Sequence, residues 1–478
     1  MRTTAADNHI PDDHVPPTDL PAPTDDEPDP RRWIVFAVVG VAFLMIALDQ
    51  TSVATALSTL QEDLGADLAW TGWTITIYSV GQILALPLAG RLSDQFGARR
   101  LFLGAIGVFT VISLLCGLSA NLGQLIVCRF LEGLAGGALL PSATAIVAAQ
   151  FGRDRDRAIA LFSSVFPIGA ILGPLLGGVL LTLFSWRAIF LVNLPVGIAL
   201  LALGSLLIRE LPRSRPGPVD VGGITLMLVL LVSGMVAITG IGSVTSGWAG
   251  LLAVAVPAVV SAGAAALFLR HITRHPHPVV SLQLLAGRHL GAINLANVLF
   301  GAAAIGFSAL VPHYAQVRYG IVPIAAGALL TARAIGMIST SWIAVALLRR
   351  LGHRPLLIVG MGTVAAGLVL TALPPVGMSA EAWLFISAAV MGLGMGVAAP
   401  ATNNAGMHLV PDQASAAAGL RTMFRQTGAI LAVSVTTAVT SASADPGTAN
   451  AVAFAALAGV TVIALVIAAR VPNHRGRW

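Results

Sequence analysis

Long apolar blocks, separated by short polar segments, run through almost the whole chain from Trp33 onwards. A helix needs about 20 apolar residues to span the hydrocarbon core of a bilayer. The blocks have about that length, so the pattern predicts fourteen membrane-spanning helices. Their approximate bounds are 33–57, 69–90, 101–119, 122–146, 158–181, 187–208, 221–241, 248–270, 289–314, 323–348, 355–374, 381–403, 420–440 and 449–470.

The two ends of the chain lack such blocks. Residues 1–30 are rich in Pro and Asp and contain no apolar stretch of the kind found in a signal peptide. This composition predicts a disordered cytoplasmic tail. Residues 473–478 are predicted to form a second, short cytoplasmic tail.

Composition argues against a soluble protein. Of the 478 residues, 56% are hydrophobic and 10% are charged, whereas soluble globular domains carry about 25% charged residues. The net charge of +6 does not indicate nucleic-acid binding, because the Arg residues are spread over short loops. The chain is therefore expected to lie in the lipid bilayer.

Arginines mark every second loop. They cluster after the second, fourth, sixth, eighth and tenth predicted spans, and the intervening loops are nearly free of them. Because Arg-rich loops stay on the cytoplasmic side, the pattern predicts an even number of spans. It also predicts a multi-pass protein of the cytoplasmic membrane with both termini in the cytoplasm. Arg187 and Arg318 are the two exceptions.

The sequence contains an internal repeat. Residues 133–141 (GLAGGALLP) resemble residues 392–400 (GLGMGVAAP), and the same offset of 259 residues pairs 169–172 with 428–431. Such repeats are typical of transporters built from two similar helical halves. The sequence therefore predicts an all-α polytopic fold of two six-helix halves with two inserted helices. The predicted divisions are a first half at 31–208, a linker with the two extra helices at 209–288, and a second half at 289–472.

A polar loop between the second and third predicted spans reads GRLSDQFGARR, at residues 90–100. Its glycines allow tight helix ends, and an acid is favourable near a helix N-terminus. The loop resembles the signature loop of the major facilitator superfamily. The resemblance implies a latch that joins the cytoplasmic ends of the two halves and breaks when the protein changes conformation. The latch residues are Gly90, Asp94, Gly97, Arg99 and Arg100.

Asp49 lies inside the first predicted span, in the segment LDQTSVATAL at residues 48–57. An acid near the middle of a membrane is costly to bury and usually marks an ion or proton pathway. The segment resembles a motif of the fourteen-helix drug:proton antiporter family of that superfamily, although Ala54 stands where the family has Asn. The alternative is a structural carboxylate bonded to the hydroxyl of Thr51.

Two further charges lie in the fourth predicted span, in RFLEGLAGG at residues 129–137. Arg129 and Glu132 are three residues apart and share a helix face. The segment resembles the family motif tied to proton coupling, with Glu132 in place of the usual Gln; the alternative is a purely structural ion pair. Arg333, in the tenth predicted span, is a buried cation for which Asp49 or Glu132 could be the partner in the cavity.

The fifth predicted span contains GAILGPLLGG, at residues 169–178. Its proline kinks a helix, and its glycines allow close packing. The segment resembles the antiporter signature of the family, which implies export rather than uptake. The matching residues are Gly169, Gly173, Pro174, Gly177 and Gly178. Two lesser matches are WRAIFLVNLPVGI at 186–198 and RTMFRQTGA at 421–429.

Together the motifs imply a proton-coupled antiporter that exports drugs or other amphipathic small molecules by alternating access. The alternatives are a dedicated exporter of one endogenous metabolite or antibiotic, and a non-transporting membrane sensor. A monomer is expected, with protons and a small-molecule substrate as its partners. No enzyme activity, metal or cofactor is expected, and the proton gradient is the expected energy source. The chain has no Lys for a phosphate-binding loop, and its Cys and His residues form no cluster with metal-ligand spacing.

Overall fold

The computed structural model describes residues 31–151, 165–210, 219–276, 278–280, 290–407 and 414–468, together with residues 154, 158, 159, 161, 162, 282 and 285. The regular structure within these residues is helical throughout, which confirms the predicted all-α class. The predicted tails at 1–30 and 473–478 lie outside the described residues.

The first part of the chain contains helices α1 to α9. Their bounds are α1 Arg32–Ser52, α2 Leu57–Asp63, α3 Leu68–Thr71, α4 Trp73–Phe96, α5 Ala98–Gly117, α6 Leu122–Phe151, α7 Val165–Leu183, α8 Arg187–Leu191 and α9 Asn193–Leu207. A 3-10 turn at Val53–Ala56 joins α1 to α2. A 3-10 stretch inside a longer helix often marks a hinge.

The remainder of the chain contains helices α10 to α17. Their bounds are α10 Val221–Thr239, α11 Trp248–Arg274, α12 Leu290–Tyr319, α13 Pro323–Leu351, α14 His353–Ala372, α15 Ala380–Met407, α16 Ala414–Ser441 and α17 Pro446–Ala468. A 3-10 helix at Gly240–Ser246 connects α10 to α11.

Each predicted span coincides with a helical segment. Within the described residues, twelve segments are long and apolar enough to cross a membrane. The other two predicted spans correspond to the shorter apolar helix Ile168–Leu183 and to α16, which carries Arg421 and Arg425. The structure therefore confirms a polytopic membrane protein and fits the fourteen predicted spans.

Glycines at helix crossings reproduce the internal repeat. Gly133 of α6 faces α4, where a Cβ atom on it would overlap the carbonyl oxygen of Tyr78. Gly392 of α15, 259 residues later, faces the carbonyl oxygen of Arg333 on α13 in the same way. Small residues let helices approach closely in lipid, where no hydrophobic force drives them together. The two halves therefore repeat one packing arrangement.

The two halves contact one another at the end of the bundle where α2 ends. The hydroxyl of Ser58 lies 2.9 Å from Nδ1 of His313. Nε2 of Gln316 donates to the carbonyl oxygen of Thr55 at 3.2 Å. In the predicted orientation, with the N-terminus in the cytoplasm, these contacts would lie at the outer end of the bundle.

Both arginines that depart from the loop pattern have polar partners at that same end. Nη1 of Arg187 lies 2.9 Å from Oδ2 of Asp63, and Nη1 of Arg318 donates to the hydroxyl of Thr448 at 3.0 Å. A cation paired with an acid adds little net charge to its loop. The pairing of Arg187 is therefore compatible with the predicted orientation.

The inserted helices pack against each other, and α10 also packs against both halves. Nε1 of Trp73 on α4 donates to Oγ1 of Thr239 at 2.9 Å. Met235 of α10 belongs to one apolar cluster with Ile77 of α4 and Ile430 of α16. Most described residues of α11 are exposed. Thus α10 bridges the first and second halves, and α11 lies on the outside.

We expect Gly133→Val to destabilise the protein, because its added carbons would meet the backbone of α4, which cannot rotate away as a side chain can. Overpacking of this kind costs about 1–3 kcal/mol. Gly104→Val on α5 is the matched control, since a Cβ atom there meets nothing within 4 Å. The measurement is the apparent Tm of each variant in detergent. Equal Tm values for the two variants would contradict the described crossing of α4 and α6.

Candidate functional site

Three charged side chains from two helices meet in the interior of the first half. Nη1 of Arg129 on α6 donates to Oδ2 of Asp49 on α1 at 2.6 Å and to Oε2 of Glu132 at 2.7 Å. All three side chains are fully buried. The structure thus brings together the three residues singled out in the sequence for proton coupling. We call them the carboxylate–arginine cluster.

Local helix geometry explains how these side chains come to face one another. Arg129 and Glu132 lie about one turn apart on α6 and point the same way. Asp49 lies in the last turn of α1, just before the 3-10 turn at Val53–Ala56. The hydroxyl of Thr51 donates to the carbonyl oxygen of Ala47 at 2.7 Å. The carboxylate of Asp49 is therefore held by Arg129 and not by Thr51.

Asn193 at the start of α9 supports the second oxygen of Asp49. Its Nδ2 atom lies 3.3 Å from Oδ1 of Asp49 and 2.9 Å from Oγ of Ser113. Sequence reasoning missed both Asn193 and Ser113. The available signals were the resemblance of residues 186–198 to the family and the single amide, Asn193, in that largely apolar segment.

The guanidinium of Arg129 is fixed by uncharged groups as well. Its Nε donates to the carbonyl oxygen of Thr74 at 3.0 Å, and its Cζ lies 4.2 Å from the centroid of the Tyr78 ring. Cations are attracted to the face of an aromatic ring. Sγ of Cys116 donates to Oε2 of Glu132 at 3.4 Å. The cluster is therefore enclosed by α4 and α5 in addition to α1 and α6.

A cavity of about 210 Å³ borders the cluster on one side. It lies between α1, α7, α8 and α9, and its walls are apolar apart from Asp49, Ser52 and Asn193. Glu132 is not among the described residues that line it. Asp49 is thus the acid of the cluster with open space beside it.

Arg333 lies in the second half, away from the cluster. Its Nη1 is 3.3 Å from Sδ of Met395, and no hydrogen bond or ion pair among the described residues joins it to either acid. Gly133 faces the carbonyl oxygen of Tyr78, and Gly392 faces that of Arg333, so Arg333 takes the position of Tyr78 at the repeated crossing. At the offset of 259 residues, Met391 takes the position of Glu132. The suggested pairing of Arg333 with an acid of the cluster is therefore not seen, and Arg129 fills that role.

The antiporter segment lies between α1 and the second half. Its glycines that face α1 are Gly169, Gly173 and Gly177. Oγ of Ser52 donates to the carbonyl oxygen of Gly173 at 2.7 Å. On the other side, a Cβ atom on Gly327 of α13 would overlap the carbonyl oxygen of Pro174, and Gly178 faces the backbone at the start of α13. Helix α7 therefore connects the helix that carries Asp49 to the second half.

The predicted latch loop contacts its own half. Its glycines are Gly90, inside α4, and Gly97, between α4 and α5 with φ of 91°. Nη1 of Arg99 and Nε of Arg100 each lie 3.6 Å from a carboxylate oxygen of Glu210. The side chain of Asp94 lies outside the described residues. In this structure these two arginines therefore pair with Glu210, which follows α9 at the start of the predicted linker.

Three glutamines link the neighbourhood of Asp49 to the second half. Nε2 of Gln50 donates to Oε1 of Gln82 on α4 at 3.2 Å, and Nε2 of Gln426 on α16 donates to the same oxygen at 2.8 Å. Sequence reasoning used the segments around Gln50 and Gln426 as family matches without assigning either residue. The structure shows that they belong to one polar contact between the halves.

Several known proteins resemble the chain in sequence. The Multidrug resistance protein B homolog of Mycobacterium tuberculosis is 32% identical over 401 residues, covering 82% of this chain and 73% of the relative. The multidrug efflux pump LfrA of Mycolicibacterium smegmatis is 31% identical over 391 residues, covering 81% and 76%. The Tetracenomycin C resistance and export protein of Streptomyces glaucescens is 30% identical over 413 residues, covering 85% and 75%.

Solved transporter structures share the fold at lower identity. The nucleoside transporter NupG superimposes with a TM-score of 0.65 at 14% identity, covering 90% of this chain and 98% of that protein. A bacterial homolog of the human lysosomal transporter Spinster, in an inward-facing and occupied conformation, gives a TM-score of 0.66 at 14% identity, covering 93% and 98%. At this identity the likeness concerns the fold alone.

The family model of the Major Facilitator Superfamily matches residues 39–433 and 293–477, which together include most of the chain. The matched residues contain the carboxylate–arginine cluster, the antiporter segment and both halves of the repeat. The chain belongs to the Major Facilitator Superfamily.

Proposed function

We propose that the chain is a proton-coupled antiporter that exports drugs or other amphipathic small molecules across the cytoplasmic membrane by alternating access. Membership of the Major Facilitator Superfamily and the likeness to proteins named as multidrug pumps support drug transport. The carboxylate–arginine cluster supports coupling to protons, and its charge balance is the observation that carries the proposal.

The cluster has one more acid than it has bases. With both acids ionised, Asp49 and Glu132 present two negative charges to the single guanidinium of Arg129. The cluster then has a net charge of −1 in the membrane interior, where an unbalanced charge is costly. One bound proton makes it neutral. Such a site is suited to hold a proton in one conformation and to release it in another.

Asp49 is the acid best placed to exchange that proton. It borders the cavity between α1, α7 and α9, whereas Glu132 is the nearby partner of Arg129 on the same helix. When Asp49 is protonated, Arg129 keeps a one-to-one ion pair with Glu132. The cation therefore remains paired throughout the cycle.

Coupling requires the two conformations to differ in their affinity for the proton. Protonation of Asp49 weakens its bond to Arg129 and so loosens the end of α1 beside the 3-10 turn at Val53–Ala56. That turn contacts the second half, where Gln316 donates to Thr55. In the proposed cycle, this proton enters from the outer side in the outward-open state, and its binding releases the substrate outward. Helix α1 then shifts along α7, the halves rock back to the inward-open state, and Asp49 releases the proton to the cytoplasm as it pairs again with Arg129. The latch residues, including Arg99, join the cytoplasmic ends in the alternate conformation.

Further features complete the proposal. Both termini lie in the cytoplasm, the chain acts as a monomer, and the proton gradient is its only energy source. The exported molecule enters between the two halves from the cytoplasmic side. The contacts between the halves at the opposite end, such as Ser58 with His313, support an inward-open arrangement.

A dedicated exporter of one metabolite or antibiotic is the second candidate. The likeness to the Tetracenomycin C resistance and export protein of Streptomyces glaucescens favours it. Both candidates use the same proton site, so the range of exported compounds is the property that distinguishes them.

We expect Asp49→Asn to abolish drug resistance conferred by the chain, because the amide cannot release a proton. The measurement is the minimal inhibitory concentration of dyes, biocides and antibiotics for a bacterial host that lacks its own exporters. Expression of the wild type should raise it for several classes of compound, and Asp49→Asn should return it to the empty-vector value. Glu62→Gln, which changes an exposed acid on α2, is the control and should behave as the wild type does.

The outcomes separate the hypotheses when the variants reach the membrane in equal amounts. Resistance retained by Asp49→Asn would reject Asp49 as the proton carrier. Resistance to a single class of compound would favour the dedicated exporter. A wild type that protects against no compound in the panel would contradict multidrug export.

We expect Arg129→Gln to prevent stable folding, because it leaves two buried acids without a cation. Removing one partner of a buried ion pair costs about 3–5 kcal/mol. The uncharged triple variant Arg129→Gln/Asp49→Asn/Glu132→Gln should recover folded protein while remaining inactive in transport. Size-exclusion chromatography and the apparent Tm in detergent provide the measurement. If the triple variant is as unstable as Arg129→Gln, charge balance is not what Arg129 provides.

A further inference from the structure

A cluster of potential metal ligands lies at the base of the inserted helix pair, outside the carboxylate–arginine cluster. Asp220 precedes α10, and His271 and His275 lie at the end of α11. One ligand atom from each residue lies within 4.8 Å of the other two. We call these residues the Asp–His–His triad.

The carboxylate of Asp220 is buried and held in place by backbone groups. Its Oδ1 accepts from the backbone N–H of Gly223 at 2.8 Å, and its Oδ2 accepts from the backbone N–H of Val279 at 2.9 Å. Each oxygen of an ionised carboxylate has about two lone-pair sites, so each keeps one site beyond its backbone hydrogen bond, and that of Oδ1 faces His271. The acid is therefore preorganised, with room for a further partner.

His271 lies in the last turn of α11, and His275 directly follows its last residue. They are four residues apart, the spacing that places side chains above one another on a helix. Their rings stack with centroids 4.9 Å apart and an interplanar angle of 26°. Nε2 of His271 lies 2.7 Å from Oδ1 of Asp220. Both rings are half-buried, so an ion can reach them from solvent.

We propose that Asp220, His271 and His275 form a binding site for a divalent transition-metal ion of the zinc class. Two imidazole nitrogens and one carboxylate oxygen are a ligand set that zinc uses, with a fourth position left for water. Imidazole ligands favour zinc, cobalt, nickel or copper over the magnesium and calcium ions, which prefer oxygen.

Metal binding needs only a small rearrangement of the triad. Zinc bonds to nitrogen and oxygen are about 2.0–2.2 Å long, so two ligand atoms of a tetrahedral site are separated by roughly 3.3 Å. His271 would move slightly away from Asp220, and His275 would move closer. The ion would then join the beginning of α10 to the end of α11, at the base of the helix that bridges the two halves.

The sequence predicts no metal site because Asp220 lies far from the histidines in the chain. The four-residue spacing of His271 and His275 is the one signal it contains. Two histidines alone do not define a site, and the fold supplies the third ligand. The proposal thus departs, in this part of the molecule, from the expectation that the chain binds no metal.

Cobalt binding tests the proposal on the full-length chain, purified in detergent through an affinity tag that contains no histidine. Cobalt titration should give visible absorption that saturates at one ion per chain and disappears on addition of zinc. His275→Gln leaves the Asp220–His271 contact and the cap of α10 intact. Because even the loss of a group that only supports a ligand weakens metal binding 10–100-fold, His275→Gln should raise the Kd for cobalt at least about tenfold.

Two further variants make the test decisive. Asp220→Asn should also weaken cobalt binding, and His313→Gln, at the opposite end of the bundle, should bind as the wild type does. The proposal is overturned if the wild type binds no cobalt at concentrations up to about 1 mM. This limit corresponds to a binding free energy weaker than about −4 kcal/mol. It is also overturned if His275→Gln binds cobalt with the Kd of the wild type, since the Asp220–His271 contact is then only an ion pair.

Discussion

One buried guanidinium holds two carboxylates inside the first half, and the packing around it depends on that arrangement. Arg129 binds Asp49 and Glu132 through the same nitrogen. Its other contacts draw in α4 through Thr74, while Asn193 ties the first acid to α9. Because a buried charge is tolerated only when it is paired and hydrogen-bonded, these helices must remain together as long as the charges do.

The two halves share their packing but not their charges. Glycines such as Gly133 and Gly392 form equivalent helix crossings, whereas Met391 occupies the second-half position that corresponds to Glu132. In the proposed cycle, proton binding is therefore confined to the first half, and the second half responds through contacts between the halves. Helix α7 provides such a contact, since one side of it packs against α1 and the other against Gly327 of α13.

Hydropathy was sufficient to predict the helical spans, because a bilayer requires long apolar helices. The acids of the cluster could be found for the same reason, since a charge inside an apolar block is conspicuous. Asn193 was not found, because a neutral polar residue in a helix is common and its partners come from other helices. The partner of Arg333 could not be predicted for the same reason, because Met395, its neighbour in the structure, lies 62 residues away in the chain. Periodicity shows which residues share a helix face and leaves open which helix that face meets.

Infrared difference spectroscopy tests the central claim most directly, because a protonated carboxyl group has its own carbonyl stretch. As the pH of the purified protein is lowered, one buried carboxyl per chain should become protonated. Its band should be absent from the double variant Asp49→Asn/Glu132→Gln and retained in Glu62→Gln. A band of the same size in the double variant would show that the proton binds elsewhere. Its absence from the wild type at every pH at which the protein stays folded would show that the cluster binds no proton.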